Sequence, residues 1–203
     1  MRKITCNCEQ VFNVDIPDTV DLDTNSEVID QIADGSFLSC ICPTCNAVLY
    51  TDIRTRFDWP SRQANVLLIP ESERFAFLSG EMKIDEDVQL VIGYAELADR
   101  IAVLNLKLDP LAIEALKYHL LIKAHETNPD KQAIILFETQ NDDDSLEFHI
   151  HGLKENEAAV STLPFSLYDT IVHDIQLHPR QEPYNSLRNG KYLSVKNILI
   201  EDE

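Results

Sequence analysis

Cys6-Asn7-Cys8 and Cys42-Pro43-Thr44-Cys45 are the two stretches that decide the fold of the N-terminal half of this chain. They are two short-range thiol pairs separated by 33 residues. Each pair can chelate from one tight turn, and the segment between them lets the second turn come back across the first. A structural Zn²⁺ ion takes four thiolates at about 2.3 Å, with no open coordination position. The spacing therefore predicts a structural zinc site with Cys6, Cys8, Cys42 and Cys45 as its ligands.

The second pair carries the more specific signal. Pro43 presets the turn, and Asn46 tolerates the left-handed conformation that follows a last ligand. The five cysteines of the chain could instead form two disulfides and leave one free thiol, or be small buried hydrophobic residues. Cys40 lies outside both pairs. It could replace a ligand, be a redox-labile neighbour of the site, or pack in the core, and we expect packing.

Several motifs around these cysteines resemble the CpXC domain family. They begin with the run from Arg2 to Cys8 and Phe12, pass through Gly35-Ser36-Phe37 to the second pair, and extend to the stretches 96–101 and 113–118. Glu9 and Asn46 stand where members of that family commonly have glycine. The resemblance covers roughly the first 125 residues. It implies a zinc-ribbon-like fold in a prokaryotic family without an established activity.

The chain is strongly acidic. It has 35 Asp and Glu against 17 Lys and Arg, a formal net charge of -18, and the acids are spread along its length. Such a surface repels nucleic-acid phosphates and anionic membranes. We therefore expect neither a nucleic acid nor a membrane as partner, but a protein, and a basic protein surface would suit this charge.

The compartment is predicted from the same features. No apolar run approaches the roughly 20 residues that span a bilayer. Met1-Arg2-Lys3-Ile4 leads directly into the first cysteine pair, so a hydrophobic signal region is missing there. Thiols clustered for metal binding need a reducing environment. These features predict a cytoplasmic protein.

Hydrophobic periodicity predicts an α+β protein: a β-rich, zinc-ribbon-like part over 1–69, a helical hairpin over 93–127, and a small α+β region over 128–203. The first two parts form one predicted CpXC-like domain, 1–127. Within the ribbon, Thr24 and Glu27 have the spacing of a capping box for a short helix that ends at Gly35. Arg54 and Arg56 alternate on one strand face; they could form an anion site, but we expect a solvated face paired with nearby acids.

The hairpin carries the clearest helical signal. Tyr94, Leu97, Ala98, Ile101, Leu104 and Leu108 recur at helical spacing, with Glu96, Asp99, Arg100 and Asn105 placed on the opposite face. Asp109-Pro110 starts the second helix and Asn128-Pro129 ends it. This second helix is apolar on most sides and needs two partners. The remaining domain could supply both, or a second copy could, which predicts a homodimer through 93–127.

The C-terminal region is predicted to contain a strand over 133–139, a turn at 141–144, a return strand through Phe148, and a helix over 164–175. His149 and His151 share one face of the return strand and lack a third metal ligand in view. The segment 192–200 is apolar and is compatible with either a strand or a helix.

Sequence motifs point to binding rather than to catalysis. The chain has only five glycines and shows neither a phosphate-binding loop nor a zinc-protease or deaminase motif. A closed Cys₄ site leaves no room for substrate on the metal. We therefore predict a cytoplasmic zinc-binding protein that acts as a protein-interaction or regulatory module. One alternative is a thiol-based redox or zinc sensor that uses Cys40, and another is an enzyme with its site in the C-terminal region.

Overall fold

The structure is a computed structural model that describes residues 1–84 and 87–200, with side chains described as far as Ile198. Within that range the protein has six α-helices and several β-sheets, which confirms the predicted α+β class. The chain forms two compact units, Met1–Ala98 and a second unit that begins at Asp99. Sequence patterning placed a domain boundary after residue 127, and that boundary stays a prediction.

The first unit is rich in short strands. Its described strands are β1 Arg2–Thr5, β2 Val11–Val14, β3 Thr19–Asp21, β4 Ser39–Ile41, β5 Val48–Tyr50, β6 Thr55–Trp59, β7 Ala64–Ile69 and β8 Gln89–Ile92. Its helices are α1 Glu27–Ala33 and α2 Arg74–Leu78, and α3, Tyr94–Asn105, crosses the boundary between the units. The alternation of Val88, Leu90 and Ile92 predicts a strand over 85–92, and β8 covers its later residues; Asp85 and Glu86 lie outside the described range.

The strands of this unit belong to two hairpins and one larger sheet. β1 pairs with β2 and β4 pairs with β5, both antiparallel, and each connecting turn contains one cysteine pair. In the sheet, β6 is antiparallel to β7, β3 runs parallel to β6, and β8 runs parallel to β7. The Phe37 ring, just before β4, meets the buried Phe57 ring of the sheet edge-on, with 5.5 Å between centroids. This contact anchors the second hairpin to the sheet.

The second unit combines helices with a three-stranded sheet. Its described elements are α4 Pro110–Thr127, β9 Ile134–Gln140, β10 Ser145–Lys154, β11 Glu157–Pro164, α5 Phe165–Leu177, β12 Arg188–Asn189, β13 Tyr192–Leu193 and α6 Lys196–Ile200. The sheet order is β11-β10-β9, antiparallel throughout. The ambiguous segment 192–200 therefore contains both structures, a two-residue strand and then a helix.

Helix α4 is the centre of the second unit. It begins as predicted, since Asp109 caps it by accepting from the backbone N–H groups of Leu111 and Ala112 at 2.7 and 3.4 Å. Ten of its residues are buried. It contacts β9, α5 and β13, and its apolar side chains share one core with that sheet. The unit itself thus supplies the two sides of packing that this helix needs, and the homodimer stays a prediction.

For helix α3, the structure corrects the predicted polar face, because two residues assigned to that face are buried. Asp99 and Arg100 are 5 % and 3 % exposed, although the periodicity placed them opposite the apolar face. Glu114 and Lys117 of α4 are 4 % exposed each. The Lys117 ammonium donates to Asp99 at 2.6 Å and to Glu114 at 2.7 Å. These helix faces are both polar and buried, because two acids and two bases neutralise one another inside the unit.

Backbone groups complete this buried cluster. Asp99 accepts from the N–H of Phe137 in β9 at 2.7 Å, and Glu114 accepts from the N–H of Val195 at 2.8 Å. The Arg100 guanidinium donates to the carbonyl of Leu193 in β13 at 2.9 Å. Every charged group of the cluster therefore has a partner, as buried ions require. The cluster joins α3 and α4 to the sheet and to the C-terminal segment.

Among the described residues, no helix combines the length and the apolar character needed to cross a bilayer.

Candidate metal centre

The first cysteine pair lies in the turn between β1 and β2. The Cys6 N–H donates to the carbonyl of Gln10 at 2.9 Å, and the Glu9 N–H donates back to the carbonyl of Cys6 at 2.9 Å. Glu9 has φ 67°, the left-handed conformation. These bonds fold the chain tightly around Cys6 and Cys8, so that both side chains leave the turn on one side.

The second pair lies in the turn between β4 and β5 and repeats this pattern with one more residue. The Cys42 N–H donates to the carbonyl of Ala47 at 2.9 Å, and the Asn46 N–H donates to the carbonyl of Cys42 at 3.0 Å. Asn46 has φ 58°. The left-handed position after the last cysteine is thus present in both turns without glycine. Glu9 and Asn46 stand where glycine is common, and the turn geometry is intact with these two residues.

The two turns bring four sulfur atoms to one place. The Sγ atoms of Cys6, Cys8, Cys42 and Cys45 all lie within 4.8 Å of one another. The Sγ–Sγ distance is 3.6 Å both between Cys6 and Cys45 and between Cys8 and Cys42. Four thiolates at about 2.3 Å from one ion lie about 3.8 Å apart at the corners of a tetrahedron. The cluster has the donor set and the size of a metal site.

All five cysteines are free thiols. Cys6 and Cys42, the first cysteine of each turn, are 3 % and 0 % exposed, whereas Cys8 and Cys45 are exposed. Each turn therefore contributes one buried and one exposed thiol. This arrangement places the cluster at the boundary between the interior of the unit and solvent.

The thiols of the cluster have strongly different proton affinities. The backbone N–H groups of Cys45, and then of Thr44, lower the pKa of Cys42 to about 6. The N–H of Cys8 lowers the pKa of Cys6, but burial and the neighbouring thiols together outweigh it and raise that pKa to about 12. Thiolates, not thiols, bind metal, so a metal ion entering at neutral pH must displace protons from this cluster.

Glu9 offers a prediction about the first turn. A left-handed conformation costs an ordinary residue about 1–2 kcal/mol but costs Asn less and glycine almost nothing. Glu9→Gly should therefore tighten metal binding about two- to fivefold, because part of the gain is lost to the greater freedom of glycine in the unfolded chain. Competition with a chelator measures the change. Asn46→Gly is the matched control and should stay within twofold of wild type. Equal affinities for wild type and Glu9→Gly would contradict the expected strain.

Cys40 is not part of the cluster. It lies in β4 directly opposite Leu49 of β5, and both side chains are half-buried. Burial, and then the charge of Cys42, raises the pKa of the Cys40 thiol. A thiol held in its protonated form reacts slowly with oxidants. The position fits the expected packing role.

Other candidate sites from the sequence do not assemble a metal cluster. Among the described residues, the four cysteines are the single group of three or more His, Cys, Asp or Glu side chains with metal-binding geometry, so His149 and His151 do not form one. His149 instead lies between Glu147 and Glu138, at 3.1 and 3.6 Å. Arg54 pairs with Glu73 at 2.7 Å, as expected for a solvated face.

Comparison with known proteins agrees with this geometry. A family model described as "CpXC protein" matches residues 4–117, which is more than half of the chain. The chain belongs to the CpXC family. The match contains both cysteine pairs and ends within α4.

One relative extends the similarity beyond the family model. A protein of Treponema pallidum (strain Nichols), described as "Uncharacterized protein", is 33% identical over 220 aligned positions that cover 99% of this CpXC chain and 100% of the relative. The similarity therefore continues through the second unit, beyond the first 125 residues or so to which the sequence motifs pointed. No solved structure matches the chain.

Proposed function

We propose that this CpXC chain is a zinc protein whose closed Cys₄ site is structural, and that it acts as a protein-interaction or regulatory module. The observation that carries the metal assignment is the convergence of four sulfur atoms from two separate hairpins. Tetrahedral thiolate sites favour zinc or iron. All four Sγ atoms lie within 4.8 Å of one another, which suits a single ion, because an iron–sulfur cluster would separate the cysteines bound to its different iron atoms. Four thiolates leave no position for substrate or water, so the ion would hold the hairpins together.

The binding role is supported by surface chemistry. The net charge of -18 opposes contact with phosphate backbones, which makes the usual nucleic-acid role of zinc ribbons a poor fit. Five free thiols, four of them gathered for a metal, suit a reducing compartment, and we place the protein in the cytoplasm on that basis.

Metal content and thiol reactivity together test the zinc assignment. Protein purified without chelator should contain one zinc per chain by mass spectrometry of its metals. Ellman titration should find four thiols masked before denaturation and all five reactive after it. Iron in place of zinc would contradict the metal identity. Absence of metal, with thiols that appear only after reduction, would contradict the site as a whole.

The sensor alternative makes a separate prediction, namely zinc release by peroxide that slows in Cys40→Ala. The half-buried position of Cys40, opposite Leu49 in the hairpin, argues against it, because reactive cysteines are accessible to solvent.

A further inference from the structure

The hairpin next to the candidate metal centre shows apolar side chains to solvent. Ile41, Val48 and Tyr50 are 65 %, 54 % and 76 % exposed. Ile41 lies directly opposite Val48, and Tyr50 follows two residues later on the same strand, so all three side chains are on one face of the β4–β5 hairpin. We name this face the hairpin patch. Opposite residues of an antiparallel pair are close neighbours, which makes the patch continuous.

The patch is held in place by its surroundings. The hairpin is closed at one end by the bond from the Cys42 N–H to Ala47 and at the other by the bond from the Thr51 N–H to Leu38, both 2.9 Å. Its other face carries Cys40 and Leu49, which are half-buried. A hairpin that presents large apolar side chains on its outer face, while its inner face is already packed, has a surface suited to a partner.

Charge next to the patch indicates which partner. Residues 1–98 contain 17 Asp and Glu against 7 Lys and Arg. Several of the arginines are already paired with acids: Arg2 with Asp18, Arg54 with Glu73, Arg56 with Asp58 and Asp87, and Arg74 with Glu71 and Glu96. Uncompensated acid remains: helix α1 carries exposed Glu27 and Asp30, and exposed Asp34 follows as its C-cap residue.

The course of the chain places this acid beside the patch. Directly after α1, the Phe37 N–H donates back to the carbonyl of Gln31 at 2.9 Å. Strand β4 then begins at Ser39, which lies opposite Tyr50 in the hairpin. The acidic end of α1 therefore leads into the end of the hairpin that carries the tyrosine of the hairpin patch.

We propose that the hairpin patch, together with the acidic face of α1, binds a basic segment of another protein that carries apolar side chains. Apolar contact with Ile41, Val48 and Tyr50 would supply affinity, and Asp30 and Asp34 would favour lysine or arginine nearby. A second copy of this chain is a poor occupant, because each copy has a net charge of -18 and the two copies repel each other. This inference rests on the proposed protein-binding function and names the surface and the partner chemistry.

Synthetic peptides test the proposal on the full-length, metal-loaded chain. The probe is a fluorescein-labelled peptide of alternating lysine and valine with a central phenylalanine. Its matched forms have glutamate for lysine, or serine for the apolar residues. Fluorescence anisotropy should show that the lysine and valine peptide binds, whereas neither of its two matched forms does. The double variant Val48→Thr/Tyr50→Ser should weaken it at least tenfold, and Asp30→Asn/Asp34→Asn should weaken it and reduce its dependence on salt.

Val160→Thr is the control, because Val160 is 59 % exposed on β11 in the other unit and should leave binding unchanged. A zinc-loaded protein that binds none of the peptides below about 1 mM, or binds the basic one equally after the patch substitutions, overturns the docking proposal but not the zinc assignment. A dimer in sedimentation equilibrium that Val48→Thr/Tyr50→Ser abolishes would assign the patch to a second copy and also overturn it. Wild-type protein without zinc would instead contradict the proposed function itself.

Discussion

Cys42→Ser should weaken zinc binding by about two to three powers of ten, so that a competing chelator removes the metal and both cysteine hairpins unfold, while the second unit stays folded. Cys42 is fully buried, and backbone N–H groups favour its thiolate form. Structural zinc contributes about 10–16 kcal/mol of apparent binding energy in small zinc peptides. Loss of one of four thiolates should remove on the order of a quarter of this binding energy, which lowers the zinc affinity by about two to three powers of ten. The hairpins have few contacts of their own to replace that energy.

Two measurements check this result. Protein purified in the presence of a competing chelator should carry zinc in the wild type and none in Cys42→Ser. Hydrogen exchange should show lost protection at the amides of Cys6 and residue 42, which close the two turns. Protection across β9, β10 and β11 should persist.

Cys40→Ser is the matched control, since it makes the same substitution two residues away in a residue outside the cluster. It should retain zinc and hairpin protection. Equal zinc content in Cys42→Ser and Cys40→Ser would show that the four thiols are not the ligand set.

Lys117→Met should destabilise the second unit by about 3–5 kcal/mol, the usual range when one partner of a buried ion pair is removed. The Lys117 ammonium lies between Asp99 and Glu114. Methionine has nearly the same length, so the substitution removes the charge with little change in packing. Two carboxylates would then remain buried, with Arg100 at 3.8 Å from Glu114 as the remaining base of the cluster. Urea unfolding followed by helical circular dichroism measures the loss.

The pH dependence of this loss identifies its cause. In the native protein, burial already raises the pKa of Asp99, against the opposing effect of Lys117. Without the ammonium, this opposing effect is lost, and the folded pKa of Asp99 should rise further above its unfolded value of about 4. A group whose pKa is raised on folding stabilises the protein below its unfolded pKa and loses that contribution as pH rises. The deficit of Lys117→Met should therefore be largest at neutral pH and shrink towards pH 4.

Lys123→Met is the matched control on the same helix, because Lys123 is exposed. Its effect should stay within about 0.5 kcal/mol. If Lys117→Met were equally mild, or if its deficit did not depend on pH, the buried cluster would not be held by its charges.

Local sequence signals determined the parts of this protein that depend on a few neighbouring residues. The two cysteine pairs identified the four thiols that the structure brings together, because ligand spacing is a property of a single turn. Asp109 and Pro110 predicted where α4 starts, because a cap needs only the first backbone N–H groups of its own helix. The capping box at Thr24 was wrong. Helix α1 starts at Glu27 with Ser26 as its N-cap, and Asp21 accepts the N–H of Thr24 instead.

Tertiary structure alone decided the features that depend on distant residues. Strand β11 begins with Glu157-Ala158-Ala159, which has little strand propensity, and pairing with β10 makes it a strand. Periodicity placed Asp99 and Arg100 in solvent, since a helical pattern records polarity and not neutralisation. They are buried because Lys117, Glu114 and backbone groups of β9 and β13 come to them in the fold. The cysteines were predicted from local spacing, whereas the charge cluster exists only after the second unit has packed.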